Sequence, residues 1–174
     1  TSLSRQKPTE SWSAYDYYLR GRALTDAFKE YEAEAHFSKA VEIDPGFGLA
    51  HAWRTIAIIS QSWYSEDKTL RRLAEDSANA ALAIDGNDAM AHWAAALAHG
   101  YQYRPERSMF HFERAMQLNP LEVNIRADYA DRLVNDGRVE DSYKVISAVL
   151  AEDPFAPVWI YMIHGKILYH LGRY

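Results

Sequence analysis

The chain contains no cysteine. That excludes disulfides and thiolate metal sites, and it suits a reducing compartment, so a cytoplasmic location is the expectation. A basic stripe is also missing: the 19 Lys and Arg are scattered along a chain of formal net charge -5, and no run of cations is available to neutralise phosphates. Nucleic acid is therefore not an expected direct partner. The opening "TSLSRQKPTES" lacks the apolar core of a signal peptide. The most apolar stretch, "PVWIYMIHGKILYHLG", is interrupted by His164, Lys166 and His170 and is shorter than the roughly 20 residues a membrane span requires. It reads as a buried helix, with no membrane span expected. No G-x-x-x-x-G-K-[ST], G-x-G-x-x-G or G-x-S-x-G occurs, so neither a phosphate cradle nor a nucleophile elbow is written here. No catalytic residue, metal ligand or cofactor is expected, and the chain does not read as an enzyme.

What the chain has is repetition. With 48% hydrophobic residues over 174 positions it can build a real core or a short repeat array. "AHFSKAVEIDP" is echoed by "FHFERAMQLNP" and "YKVISAVLAEDP". Helix-ending residues fall at Pro45, Gly86, Pro120 and Pro154, separated by 41, 34 and 34 residues. Five positions before each stand Ala40, Ala81, Ala115 and Val149, and eight before stand Phe37, Ala78, Phe112 and Ile146. Positions three apart share one helix face, so the small residue lets neighbouring helices approach while the larger one fills the space between them.

On these residues, with Gly21 in the first helix and Gly137 at the tight turn of "NDGRVEDSYKVISAVLAEDP", the chain resembles the tetratricopeptide repeat family, whose helix-turn-helix unit repeats about every 34 residues. The resemblance runs from about Ser13 to the end and implies an all-α solenoid of antiparallel helix pairs. A linker is expected over 1–12, units over 13–46, 47–87, 88–121 and 122–155, and a truncated fifth unit over 156–174. The helices pair as 13–27 with 30–43, 47–61 with 68–84, 88–101 with 105–118 and 122–136 with 139–152, and a ninth spans 156–171 without a partner. The seven extra residues of the second unit fall in "SQSWYSEDK", expected as a longer loop. The last helix presents Trp159, Tyr161, Met162 and Tyr169 among other apolar residues on nearly all sides, where an array usually ends in a polar cap. The expectation is a fragment excised from a longer protein.

The seven histidines invite a metal reading, but their positions follow the repeat. His36 and His111 each precede an equivalent Phe, and His51 and His92 each stand six after a helix-ending residue. Equivalent positions lie about one repeat apart, too far to share an ion. His92 and His99 could share a face, but the i, i+4 spacing of a helical zinc pair is missing. Asp128 and Asp131 could act as paired carboxylates. Their setting, "IRADYADRLVNDG", favours a solvated ion-pair network.

In such an array the first helix of each unit lines a concave groove. Groove positions are expected at Tyr15, Tyr18 and Arg22, at Ala52, Ile56 and Ile59, at Met90, Trp93 and Leu97, and at Asn124, Ala127 and Asp131. The groove would bind a protein or peptide ligand, as an amphipathic helix or apolar strand anchored on Trp93 and Ile56. Equally, the same residues would be filled by the chain's own N-terminal segment, or buried because the superhelix is tight. Of the carboxylate-gripping positions some family members use, only Arg22 and Asn124 are candidates. The opening "SAYDYYLRGRAL" with "AVEIDPGFGLAHAW" resembles the repeat regions of bacterial class III adenylate cyclases and winged-helix transcription regulators, which implies a regulatory tail that mediates association. The expected function is a non-catalytic protein-interaction scaffold, with a homodimerisation module built on the C-terminal helix as the alternative.

Overall fold

The computed structural model describes residues 9–61 and 67–173. Among them are nine α-helices and no strand: α1 (Trp12–Asp26), α2 (Glu30–Ile43), α3 (Gly48–Gln61), α4 (Lys68–Ile84), α5 (Ala89–Tyr101), α6 (Pro105–Leu118), α7 (Val123–Asn135), α8 (Val139–Glu152) and α9 (Val158–His170). Each expected helix is present, with ends that move by no more than two residues. The expected loop "SQSWYSEDK" has its middle, 62–66, outside the described residues. No helix among the described residues is long and apolar enough to cross a membrane. The chain divides into two compact units, one ending at Ala115 and the other beginning at Met116.

The repeated D-P, D-G and N-P endings have one physical cause. At each, the Asp or Asn side chain turns back on its own backbone: Asp44 Oδ1 accepts from Gly46 N at 3.0 Å, Asp85 from Asn87 N at 2.8 Å, Asn119 from Leu121 N at 3.4 Å and Asp153 from Phe155 N at 2.9 Å. Such a turn competes with the helix ladder and stops it, and the proline or glycine that follows removes or weakens the alternative of continuing.

The described turns inside the pairs are likewise copies of one another. The α1–α2, α5–α6 and α7–α8 turns, and the end of α9, each have one residue in the left-handed region: Phe28 (φ 57), Tyr103 (φ 57), Gly137 (φ 78) and Gly172 (φ 66). That residue's N–H reaches back three residues and the next N–H reaches back five, as with Gly137 N to Val134 O at 2.9 Å and Arg138 N to Leu133 O at 2.9 Å. This closes the helix carbonyls that would otherwise be orphaned. Gly137 fits the turn without strain, whereas Phe28 and Tyr103 carry a Cβ into a conformation that disfavours it.

Within the N-terminal unit, α1 packs on α2, α2 on α3, and α3 on both α4 and α5. The small residues expected at helix contacts are buried: Ala40, Ala81 and Ala115 are at most 1% exposed. Gly21 is required by close approach, since a Cβ there would lie 2.6 Å from the Phe37 ring. Alanine is the commonest residue of α5, and Ala91, Ala94, Ala95 and Ala98 join Ala52, Ile58, Ile59, Ala74, Ala78 and Ala81 in one apolar cluster. In the C-terminal unit α7 packs on α8 and α9 around Ala127, Ala130, Ile146, Val149, Ile160 and Ile167. A buried hydroxyl ties the pairs at equivalent points, Ser108 Oγ to Ala96 O at 2.8 Å and Ser142 Oγ to Ala130 O at 2.6 Å.

Candidate functional site

The positions expected to line a groove are not open as a set. Trp93 is 1% exposed, and Tyr18, Ile59 and Ile56 are buried with it, as are Ala52 and Ala127. Trp93 and Ile56, the expected anchors, thus pack inside the N-terminal unit. The physical reason is an aromatic row through the N-terminal unit: Tyr18 meets Phe47 at 5.2 Å and Phe37 at 6.1 Å between ring centroids, Phe37 stacks on Trp53, and Trp53 meets the Trp93 ring edge-on at 5.3 Å. Offset and edge-on contacts are the favourable arrangements of such rings, and each adds about 0.5–1.5 kcal/mol beyond area burial. Tyr15, Met90 and Leu97 remain partly accessible. So does Arg22, whose guanidinium lies 3.5 Å over the Trp53 ring as a cation–π contact. In the C-terminal unit Asn124 donates to Glu122 Oε1 at 2.8 Å, and Asp131 accepts from Lys166 Nζ at 2.8 Å. The Asp131 pairing matches the ion-pair reading of that helix. Arg22 and Asn124 belong to different units.

The histidines explain their own periodicity. His51 Nε2 donates to Pro45 O, and His92 Nε2 to Gly86 O, both at 3.1 Å. Each therefore fastens the helix-ending residue six positions before it. Because a carbonyl only accepts, His92 carries a proton on Nε2, and its Nδ1 lies 2.9 Å from His111 Nδ1, a hydrogen bond in which one imidazole donates and the other accepts. The His99 ring stacks on His111 at 5.3 Å between centroids. Three imidazoles thus meet between α5 and α6. The shared face of His92 and His99 was legible from their spacing, but the arrival of His111 depends on how α6 folds back. Among the described residues no group of three or more His, Cys, Asp or Glu could hold a metal ion. Burial first, then the neighbouring imidazoles and Arg107, push His111 down to about 4, and burial also lowers His99. At neutral pH His111 is a neutral packing group.

A second feature was not visible in sequence. Where α4 begins and α5 turns into α6, a surface cleft of about 280 Å³ is lined by Lys68, Arg71, Arg72, Glu75 and Gln102. Asp67 caps α4 by accepting from Thr69 N at 2.7 Å, which sets the first turn and places Lys68, Arg71 and Arg72 on one side of the helix. Gln102 donates to Glu75 Oε2 at 2.7 Å, and Arg104 donates to Glu75 Oε1. The Gln102 hydrogen bond, and then Arg104, hold the Glu75 carboxyl below its ordinary range, so it is ionised at neutral pH. Arg71 lies 5.3 Å from the Tyr101 ring centroid and 5.2 Å from that of Tyr103, the strained turn residue, which is 77% exposed. The only sequence signal was the cluster of cations in "DKTLRRLAED", which on its own reads as a solvated helix face.

No family model matches the chain, and no curated protein matches it in sequence. Solved structures do match. A thermophilic tetratricopeptide-repeat protein from Thermus thermophilus shares 15% identity, covering 95% of this chain and 84% of its own, with a TM-score of 0.73. The fold is that of tetratricopeptide-repeat proteins. PilF of Pseudomonas aeruginosa, at 19% identity and a TM-score of 0.64, covers 91% of this chain and 68% of its own. YrrB, a tetratricopeptide-repeat protein with an unusual peptide-binding site, is 18% identical, covers 92% of this chain and 78% of its own, and gives a TM-score of 0.53. The Asx turns, left-handed pair turns and small-residue contacts described above are the local chemistry with which this sequence builds that fold.

Proposed function

We propose that the chain is a non-catalytic protein-interaction scaffold. One observation carries this reading: large aromatic side chains are held exposed, against backbone preference, at the turns of two helix pairs. Phe28 is 63% exposed and Tyr103 77% exposed, both at φ 57, where the α7–α8 turn and the end of α9 carry Gly137 and Gly172. A bulky residue in the left-handed region costs about 1–2 kcal/mol, and it returns little to the fold when its ring faces water. Partner contact is the physical use of such a ring, since aromatic anchors dominate protein interfaces. Peptide contact along the first helices would be confined to Tyr15, Arg22, Met90 and Leu97 in the first unit and to Asn124 and Asp131 in the second. The finer form, a regulatory segment of a bacterial signalling protein such as an adenylate cyclase, rests on the sequence resemblance alone.

The test is site-specific photo-crosslinking in the source cells, with benzoylphenylalanine placed at Phe28, at Tyr103 and, as a control, at Lys144. Discrete protein adducts from either turn position but not from the control support the scaffold reading. Adducts equally diffuse at all three positions, or absent from both turns, would sink it. A second reading, self-association through α9, is favoured by its outer face, where Val158, Met162 and Tyr169 are 59%, 69% and 72% exposed. Sedimentation velocity of the chain and of Met162→Lys tests it, with a dimer that dissociates in the variant as the supporting result.

A further inference from the structure

The cleft at the start of α4 holds more positive charge than the fold uses. Glu75 is its one lining carboxylate, and both Glu75 oxygens are already engaged by Gln102 and Arg104. That leaves Lys68, Arg71 and Arg72, none of which makes an ion pair within 4.0 Å among the described residues. Arg71 Nε is buried without a hydrogen-bond partner. A guanidinium N–H removed from water and left unpaired costs free energy, so the fold's own acceptors do not satisfy this group. The Arg71 fork is oriented by the Tyr101 and Tyr103 rings, so little side-chain freedom remains to be lost on binding. All of this stands on a chain whose net charge is -5, so the positive potential is local to the cleft.

We propose that this cleft is the docking site for a carboxylate-bearing segment of a partner, an acidic peptide whose Asp or Glu side chain pairs with Arg71 and whose neighbouring acid reaches Lys68 or Arg72. The assignment rests on the scaffold reading and names the partner chemistry. The donors favour a carboxylate over a phosphate dianion. The first-turn N–H of Thr69 is already taken by Asp67, so the free donors are side-chain forks and ammonium groups, which suit planar bidentate pairing. The ionised Glu75 beside them would repel a doubly charged group more than a singly charged one. Tyr103 supplies the exposed apolar rim against which the peptide's flanking residue packs.

The experiment is fluorescence anisotropy with the full 174-residue chain and two labelled peptides, Gly-Ser-Asp-Glu-Glu-Asp-Leu and its Asn/Gln counterpart, at constant ionic strength. The acidic peptide should bind at least tenfold more tightly than the amide peptide. Arg71→Gln and Arg72→Gln should each weaken it about three- to tenfold, and Arg71→Lys should restore only part of the loss. Lys144→Gln, on the other unit, should change nothing, and circular dichroism should show all variants equally helical. Equal binding of the two peptides, or equal losses in Lys144→Gln and Arg71→Gln, overturns the assignment. So does displacement of the acidic peptide by inorganic phosphate at concentrations where acetate has no effect, because the site would then be a phosphate site. If Tyr103 crosslinks remain unchanged in the Arg71→Gln, Arg72→Gln double variant, the cleft is wrong while the scaffold stands. Loss of crosslinks from every position in the wild-type chain removes both.

Discussion

At the scale of single residues, the chain holds several groups in states their free chemistry would not choose, and each can be measured. Phe28 sits at φ 57 with its ring 63% exposed. Phe28→Gly should raise stability by about 0.5–1 kcal/mol, the left-handed penalty less the extra backbone entropy of glycine. The mirror experiment, Gly137→Ala at φ 78, should lower it by about 1 kcal/mol, and urea melts of both variants check the pair. His111 gives a pH signature. The unfolded chain takes up its proton near 6.5 and the folded chain only near 4, so between these values the unfolded state holds more protons. Stability should therefore fall as pH drops from 6.5 toward 4, by about 1–2 kcal/mol after solvent screening is allowed for. His111→Gln should flatten that part of the Tm against pH curve. Glu30 has the opposite sign. Burial raises its carboxyl to about 7, and Oε2 has no partner, so its contribution is full below 4.5 and is lost as pH rises through 7. Glu30→Gln should raise Tm at pH 8 and leave it nearly unchanged at pH 4.5.

At the scale of elements, each helix was largely legible, because its end chemistry is local. Asp44, Asp85, Asn119 and Asp153 close their own turns through bonds two residues long. What spacing could not supply was which side chains from different helices would meet. Gly21 illustrates the boundary: its smallness fits the repeat, but only the fold shows the Phe37 ring 2.6 Å from where a Cβ would stand. Gly21→Ala should destabilise the α1–α2 pair by about 1–2 kcal/mol, overpacking outweighing the better helix propensity, and the paired change Gly21→Ala with Phe37→Leu should recover part of it. The same limit hid His111, since α5 and α6 must pair before it reaches His92 and His99.

At the scale of the whole molecule, the expected apolar groove and the observed aromatic core involve the same residues, and one variant separates them. Trp93→Ala should cost about 3–5 kcal/mol and lose helicity at a much lower urea concentration, because a 1% exposed indole packed on Trp53 leaves a cavity the neighbours cannot fill. A groove anchor would give the reverse, with unchanged stability and a loss confined to binding. The two compact units, one ending at Ala115 and one beginning at Met116, are each held by their own apolar cluster.

The sequence by itself determined the all-α class, the helix ends and the small residues at the helix contacts. These follow from turn chemistry and from a period of about 34 residues that any reading of Pro45, Gly86, Pro120 and Pro154 exposes. Tertiary structure alone decided which faces remain open. Helical periodicity marks residues that share a side, but whether that side meets water or another helix depends on distances between elements far apart in the chain. Trp93 and Ile56 were thus closed into the core, while Arg71, Tyr103 and Gln102, unremarkable in the sequence, were brought together at one cleft.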